Sequence, residues 1–352
     1  MNRKRIFSIC MAAMLCFLCS CGPVMSTPMG DPPEESGGKL AGGSAGTKIE
    51  AVTPPPVRYT VSFDENEDFP DELSRTAAEH IDPFIQKTVA LMNTMEEEDQ
   101  YTVLDCDYSQ RPTRRDGITD PAALAIYDTY VEKAAAFEDY IFDESNYETE
   151  DFYLSYVAAY EALVVDHKEL LMYCDLYSDN SLAYYRPGDW LDSLCEDRET
   201  VKNEVLLYHR VVDRILEKMP EGLSNYEKCC YFAFVVAAAA EYDYRLSSLP
   251  NPFQAYDALV NGSAVCQGYA QAFYWLCRME GISCWYCTGT ATSDSGPHAW
   301  NLIDTEEGTL YMDLTWYDDE EIDDHYRDGD FVHLFKTQED GEYDNYIQES
   351  IS

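Results

Sequence analysis

Three side chains in the last third of the chain suit thiol acyl-transfer chemistry: Cys266, His298 and Asp313. A thiol becomes a strong nucleophile when a base removes its proton, and the base works best when a carboxylate holds its ring. All three residues lie between positions 266 and 313, so one small folded unit can hold a nucleophile, a base and an orienting carboxylate.

The nucleophile candidate lies where a helix is expected to begin. Asn261-Gly262-Ser263 is typical of a turn, and apolar residues at helical spacing predict a helix over residues 265–279. Cys266 then falls in the first helical turn, where unpaired N–H groups and the helix dipole stabilise a thiolate. Gly268 is expected to leave room for a substrate beside the sulfur.

The base and the carboxylate are expected on neighbouring strands. Three β-rich runs follow the helix, at residues 282–290, 298–304 and 309–314. Glu306-Glu307-Gly308 predicts a turn between the last two runs, so they form a hairpin. His298 and Asp313 then lie on adjacent strands, where side chains can hydrogen-bond.

The segment from about Ser224 to Phe335 resembles the bacterial transglutaminase-like superfamily. The matching stretches are S-N-Y-E-K, E-Y-D-Y, V-C-Q-G-Y-A-Q-A-F, G-I-S-C-W-Y-C, H-A-W-N-L-I and M-D-L-T-W-Y-D-D. The resemblance implies an α+β fold with a papain-like core, in which a helix bearing the nucleophile packs on an antiparallel sheet. By position it implies that Cys266 is the nucleophile, His298 the base and Asp313 the residue that orients it.

Two classes of function remain open. The first is an enzyme that transfers an acyl group or hydrolyses an amide on peptide or protein substrates, cell-wall peptides included. For this class Tyr269 and Trp300, which lie within the motifs, are candidates for substrate binding or for the oxyanion. The second is a non-catalytic surface binding or scaffold protein that keeps the fold. Neither the substrate nor the balance of hydrolysis against transamidation follows from the sequence.

The N-terminus predicts export and a lipid anchor. Arg3-Lys4-Arg5 and the apolar run 6–18 are typical of a signal peptide, which we place at residues 1–20. Leu18-Cys19-Ser20-Cys21 resembles a bacterial lipobox, with Cys21 as the lipidated residue. Residues 21–56 are rich in Pro, Gly and Ser, which favours a flexible linker. We therefore expect a membrane-anchored lipoprotein on the extracellular face.

The rest of the chain is long enough for two domains. Helical periodicity dominates residues 57–220 and predicts an all-α domain, with one helix expected over residues 153–176. Ser224-Asn-Tyr-Glu227 is a capping box that should open a further helix after a boundary near residue 220. The transglutaminase-like domain is placed at residues 221–352.

Charge and composition exclude several partners and cofactors. The formal charge is −42, and removal of residues 1–20 deletes three basic residues and no acidic one, which takes it to −45. Such a chain repels phosphates, so we expect no nucleic-acid binding. The sequence has no H-E-x-x-H motif and no dense Cys/His cluster, so no metal or other cofactor is expected. Nine cysteines follow position 21, and the sequence leaves their pairing open.

Overall fold

The protein combines helices with one main antiparallel sheet. A computed structural model describes residues 71–93, 114–148, 151–176, 180–188, 194–195, 197–244, 252–291, 296–306, 308–317, 334–336 and 346–351. The expected signal peptide, Cys21 and the linker lie outside these ranges. The helices are α1 (Asp71–Met92), α2 (Pro121–Ala135), α3 (Phe152–Asp166), α4 (Lys168–Leu171), α5 (Arg198–Lys218), α6 (Asn225–Ala239), α7 (Cys266–Met279) and α8 (Leu314–Tyr317).

The strands confirm the predicted α+β class. They are β1 (Cys174–Leu176), β2 (Leu182–Tyr184), β3 (Glu241–Tyr242), β4 (Ser263–Ala264), β5 (Ser283–Ala291), β6 (Gly296–Thr305), β7 (Gly308–Met312), β8 (Leu334–Lys336) and β9 (Tyr346–Ile351). The last five form a sheet of order β8-β7-β6-β5-β9, antiparallel throughout. Helix α7 packs on β5 and β6. The structure therefore contains the expected nucleophile helix on an antiparallel sheet.

Helix α6 is a central helix of the core. The capping box predicted at its start is present, because the Glu227 N–H donates to Ser224 Oγ at 3.2 Å and the Ser224 N–H donates to Glu227 Oε2 at 2.7 Å. From Cys229 to Ala237 every residue of α6 is buried. A helix that is apolar on all sides must be surrounded by other elements, and α6 packs against α1 and α7.

Contacts cross the position at which the sequence suggests a domain boundary. Tyr231 of α6 donates its hydroxyl to the carbonyl of Ile215 in α5 at 2.8 Å. Tyr274 of α7 donates to the carbonyl of Val165 in α3 at 3.3 Å. Buried residues from both sides of position 220 belong to one hydrophobic cluster. The division into two domains stays a prediction.

The helix expected over residues 153–176 is interrupted in the structure. Helix α3 ends at Asp166, the short α4 follows, and residues 174–176 pair with β2 as a two-stranded antiparallel sheet. Among the described residues before position 220, every other assigned element is a helix. The break falls at His167, whose backbone is not helical (φ −141°, ψ 46°). Next to it, buried Lys168 has its Nζ 4.1 Å from the ring centroid of Tyr286 on β5. Burial lowers the pKa of Lys168 to about 7.

Among the residues that the structure describes, no helix has both the length and the apolar character needed to cross a bilayer.

Candidate active site

Cys266 is the first residue of α7. The preceding residue, Val265, has an extended backbone (φ −104°, ψ 180°) and gives the helix no side-chain cap. The N–H groups of Gly268 and Tyr269 both donate to the Val265 carbonyl, at 2.9 and 3.2 Å, and close the first turn. The sulfur therefore lies at the positive end of the helix dipole, which lowers the free energy of a thiolate relative to the thiol. Cys266 is 1 % exposed.

The chain that enters α7 is held on two sides. Gly262 has a positive φ of 74° and ends a turn of π-helix over Asp257–Asn261, which confirms the predicted turn. Strand β4 pairs in parallel with β3 immediately before the helix. The Val265 N–H donates to the carbonyl of Pro252 at 2.8 Å. These bonds fix the position at which α7 begins, and they therefore fix the position of Cys266.

The role expected of Gly268 is wrong. A Cβ atom at this position would lie 2.7 Å from the Ala264 Cβ, 2.9 Å from the Gln254 carbonyl oxygen and 3.2 Å from that of Pro252. The space that a side chain at position 268 would need is therefore filled by protein atoms and offers no room for a substrate. The glycine is needed because the segment around Pro252 packs directly against the first turn of α7.

This packing predicts a cost for Gly268→Ala. The added methyl group must displace backbone atoms, so we expect the free energy of unfolding to fall by about 1–3 kcal/mol. Urea unfolding of the wild type and the variant measures the difference. The double variant Gly268→Ala with Ala264→Gly removes the nearest colliding atom, and it should recover part of the loss. Equal stability of Gly268→Ala and wild type would contradict this packing.

His298 and Asp313 form a buried hydrogen-bonded pair. His298 lies on β6, and Asp313 directly follows the last residue of β7 in the predicted hairpin. The distance from His298 Nε2 to Asp313 Oδ2 is 2.6 Å, and the two residues are 9 % and 4 % exposed. A carboxylate can only accept, so Nε2 carries the proton and Nδ1 presents a lone pair. The other carboxylate oxygen accepts the Thr315 N–H at 3.2 Å.

Stacked aromatic rings restrain the imidazole further. The Trp300 ring lies 6.0 Å from the His298 ring at an interplanar angle of 20°. Tyr311 of β7 stacks on the same indole at 6.3 Å and 9°. Because the carboxylate fixes one edge of the imidazole and the indole lies along its face, the ring has little freedom to rotate.

Asn301 connects β6, the strand that carries His298, to α7, the helix that carries Cys266. Its Nδ2 donates to the Ala270 carbonyl of α7 at 3.1 Å and to the Trp285 carbonyl of β5 at 3.2 Å. Asn301 is 1 % exposed. Ala270 lies about one helical turn beyond Cys266, and Asn301 lies three residues beyond His298. The bond therefore fixes the strand that carries the base against the helix that carries the thiol.

The bridging role of Asn301 comes from the structure and was not among the expectations drawn from the sequence. A signal was present, because the amide interrupts the apolar run W-N-L-I, and a buried amide requires hydrogen-bond partners. The partners themselves come from distant segments.

The two residues proposed for substrate or oxyanion contact are both interior. Tyr269 is 0 % exposed and stacks on Tyr242 at 6.4 Å, and Trp300 is 1 % exposed. In these positions the rings support α7 and His298. A direct contact of either residue with substrate stays a prediction.

The remaining cysteines differ from Cys266 in their surroundings. All eight cysteines in the described ranges are free thiols. Burial raises the pKa of the Cys277 thiol well above its usual value, and the neighbouring thiols of Cys229 and Cys284 raise it further. Cys277 lies in the same helix as Cys266, near its opposite end. Because its raised pKa keeps the thiol protonated, Cys277 serves as the comparison for Cys266. In the part of the chain described, no three His, Cys, Asp or Glu side chains are grouped to hold a metal ion.

Sequence relatives match the part of the chain that carries this site. Residues 216–317 match the family described as the transglutaminase-like superfamily. The human protein kyphoscoliosis peptidase (Homo sapiens) is 31 % identical over 98 residues. That match covers 25 % of this chain and 14 % of the relative, so the chain spans a small part of that protein's length.

Solved structures give more distant similarities. A crystal structure described as a cysteine protease from Cytophaga hutchinsonii aligns with a TM-score of 0.30 and 14 % identity, over 41 % of this chain and 42 % of that one. A structure described as a TGase aligns with a TM-score of 0.27 and 17 % identity, over 33 % and 32 % of the two chains. The family match is therefore the informative comparison: the matched residues 216–317 contain Cys266, His298 and Asp313, and this part of the chain is transglutaminase-like.

Proposed function

We propose that the protein is a thiol-dependent acyltransferase or amidase that acts on peptide or protein substrates. The observation that carries this proposal is the 2.6 Å contact between His298 Nε2 and Asp313 Oδ2, with His298 on β6, one of the strands against which the Cys266 helix packs. A buried imidazole held by a carboxylate is a base of fixed tautomer and orientation. A thiol at an uncapped helix start is the group that such a base activates.

The reaction begins with proton transfer. His298 Nδ1 takes the proton from the Cys266 thiol, which leaves a thiolate at the positive end of α7 and an imidazolium held by Asp313. The thiolate attacks the carbonyl carbon of a substrate amide, and the carbonyl oxygen becomes an oxyanion. We assign the Cys266 backbone N–H as one donor to that oxyanion, because it belongs to the attacking residue and lies at the positive end of the α7 dipole.

The second half of the reaction releases the acyl group. As the carbon–nitrogen bond breaks, His298 gives its proton to the leaving ammonia or amine, and a thioester remains on Cys266. His298 then removes a proton from water or from an acceptor amine, which attacks the thioester carbon. The thiolate leaves and recovers its proton. Water yields a carboxylic acid, and an amine yields a new amide.

A second candidate function rests on one observation. Cys266 is only 1 % exposed, as expected of a small buried side chain in a packed core. A surface protein that kept the fold as a binding scaffold would have such a thiol. The two functions differ in whether reagents and substrates reach the sulfur.

A substrate screen tests the catalytic proposal. The protein is incubated with a peptide library that includes glutamine peptides and cell-wall peptide fragments, with and without an added primary amine. Mass spectrometry then detects deamidation, crosslinking with loss of ammonia, or cleavage. The proposal expects at least one of these products with wild type and none with Cys266→Ala. Products that form equally with both proteins would contradict a thiol mechanism.

We also propose that the protein acts outside the cell on a lipid anchor. The support is the sequence Leu18-Cys19-Ser20-Cys21 after a basic and apolar segment. Two or more acyl chains on Cys21 would give stable anchoring, since each buried CH₂ contributes about 0.8 kcal/mol. We expect Cys21→Ala to leave the membrane fraction or to remain unprocessed. Wild-type protein recovered wholly in the culture supernatant, with an unacylated N-terminus, would contradict the anchor.

A further inference from the structure

A row of three tyrosines leads from the protein surface to the nucleophile helix. Tyr269, in the first turn of α7, is fully buried. The Tyr242 ring stacks on it at 6.4 Å, and the Tyr244 ring lies 4.8 Å from that of Tyr242. Tyr242 is half-buried, and Tyr244 is 64 % exposed. We call these three residues the tyrosine row.

The outer end of the tyrosine row follows the strand that pairs with the segment before Cys266. Strand β3 pairs in parallel with β4, with Tyr242 opposite Ala264. The contact continues by one bond, because the Asp243 N–H donates to the Ala264 carbonyl at 2.9 Å. Both strands end at the Tyr242–Ala264 pair, and Tyr244 and Cys266 each follow that pair by two residues. The Asp243 bond therefore places the residue before Tyr244 beside the segment that leads directly into Cys266.

An exposed tyrosine beside the segment that leads into Cys266 offers the face of its ring to a group that binds there. The face of an aromatic ring is negative and attracts cations. The chain adds a formal charge of −42, which concentrates cations around the protein. A large exposed aromatic side chain has little value for folding, since Tyr244 buries only part of its surface. Both the ring and the overall charge favour a cationic occupant.

We propose that Tyr244, backed by Tyr242, forms a subsite that binds a cationic side chain of the peptide substrate next to the reacting amide. This inference rests on the proposed function, because it assigns specificity to the same site. Tyr244 is a specificity-determining residue in this account and takes no part in bond making. A lysine or arginine side chain, or the amine of a diamino acid, has the required chemistry.

Three thiol reagents of different charge test the subsite without any known substrate. Methanethiosulfonates carrying a trimethylammonioethyl, a methyl or a sulfonatoethyl group attach that group to a cysteine and release methanesulfinate. Peptide mapping gives the rate at which each reagent modifies Cys266. The half-buried Cys195 is the reference, because its rates report the effect of the protein's net charge alone. We expect Cys266 to prefer the cationic reagent over the neutral one more strongly than Cys195 does.

Two variants separate the effect of the Tyr244 ring from the effect of the protein's net charge. Tyr244→Leu keeps the charge of the protein and should reduce the preference for the cation by about two- to fivefold, the range for an exposed cation–π contact. Tyr244→Phe keeps the ring and should retain the preference. Both measurements are repeated in about 1 M salt, where screening removes interactions beyond about 3 Å between exposed charges. Thermal melting checks that both variants are folded.

The outcomes separate this inference from the proposed function. A reactive Cys266 whose preference is the same in wild type and Tyr244→Leu would overturn the subsite and leave the thiol mechanism in place. A preference for the neutral reagent that is lost in Tyr244→Leu would mean an apolar occupant and would also overturn the cationic assignment. No reaction of Cys266 with any of the three reagents would contradict both proposals.

Discussion

Replacing Cys266 with alanine is expected to abolish product formation while the protein remains folded. Nothing else in the site can form the thioester, so turnover should fall to background. The loss of one buried sulfur at a helix start, where alanine is a good helix residue, should cost within about 1–2 kcal/mol of stability. Thermal melting and turnover on a substrate from the screen measure the two quantities side by side.

The matched control for this experiment is Cys277→Ala. It removes a sulfur from the same helix at a position that is 0 % exposed. It should cost stability of the same order, since the deleted atom is the same, and leave turnover in place. Full activity in Cys266→Ala would end the thiol mechanism. Unfolding of Cys266→Ala, with Cys277→Ala stable, would assign Cys266 a structural role.

Asp313→Asn is expected to reduce activity by on the order of 10⁴-fold with little change in the fold. Asp313 Oδ1 accepts the Thr315 N–H, so the amide oxygen of the asparagine should keep that place. The amide nitrogen then replaces Oδ2 opposite His298 Nε2. It donates a proton where the carboxylate accepted one, which forces the imidazole proton onto Nδ1. An imidazole in that tautomer cannot take the thiol proton.

Asp304→Asn is the control that makes the same chemical change in the same hairpin. Asp304 Oδ1 accepts the Thr309 hydroxyl at 3.1 Å and is not part of the His298 pair. The control should retain turnover. The measurement is kcat for both variants, together with urea unfolding. An Asp313→Asn protein with activity close to wild type would show that the carboxylate does not set the tautomer of His298.

The start of α7 and the β6–β7 hairpin could be predicted because their signals are local. Asn261-Gly262-Ser263 predicts a turn before Cys266, and Glu306-Glu307-Gly308 predicts the turn of the hairpin. Thr305 pairs with Gly308 in the structure. The pairing of His298 with Asp313 followed from that hairpin. In each case a few neighbouring residues determine the geometry.

Features that depend on distant segments could not be predicted in this way. The atoms that exclude a side chain at Gly268 belong to Pro252, Gln254 and Ala264. Strand β9 joins β5 from the far end of the sequence. The break after α3 falls at Asp166-His167-Lys168, and the mostly apolar run that follows it suits a short strand as well as a helix. Beside the break Lys168 contacts Tyr286 of the distant strand β5, which the local sequence does not indicate.

The rate at which iodoacetamide alkylates Cys266 is the most direct test of the central claim. Only the thiolate reacts with iodoacetamide. At about pH 6 an ordinary thiol is almost entirely protonated, so a thiol with a lowered pKa reacts faster than the others. Peptide mapping compares Cys266 with Cys277, which is equally buried and has a raised pKa. We expect Cys266 to react faster than every other cysteine of the chain, and His298→Ala to slow it. Equal rates for Cys266 and Cys277, unchanged in His298→Ala, would contradict an activated nucleophile.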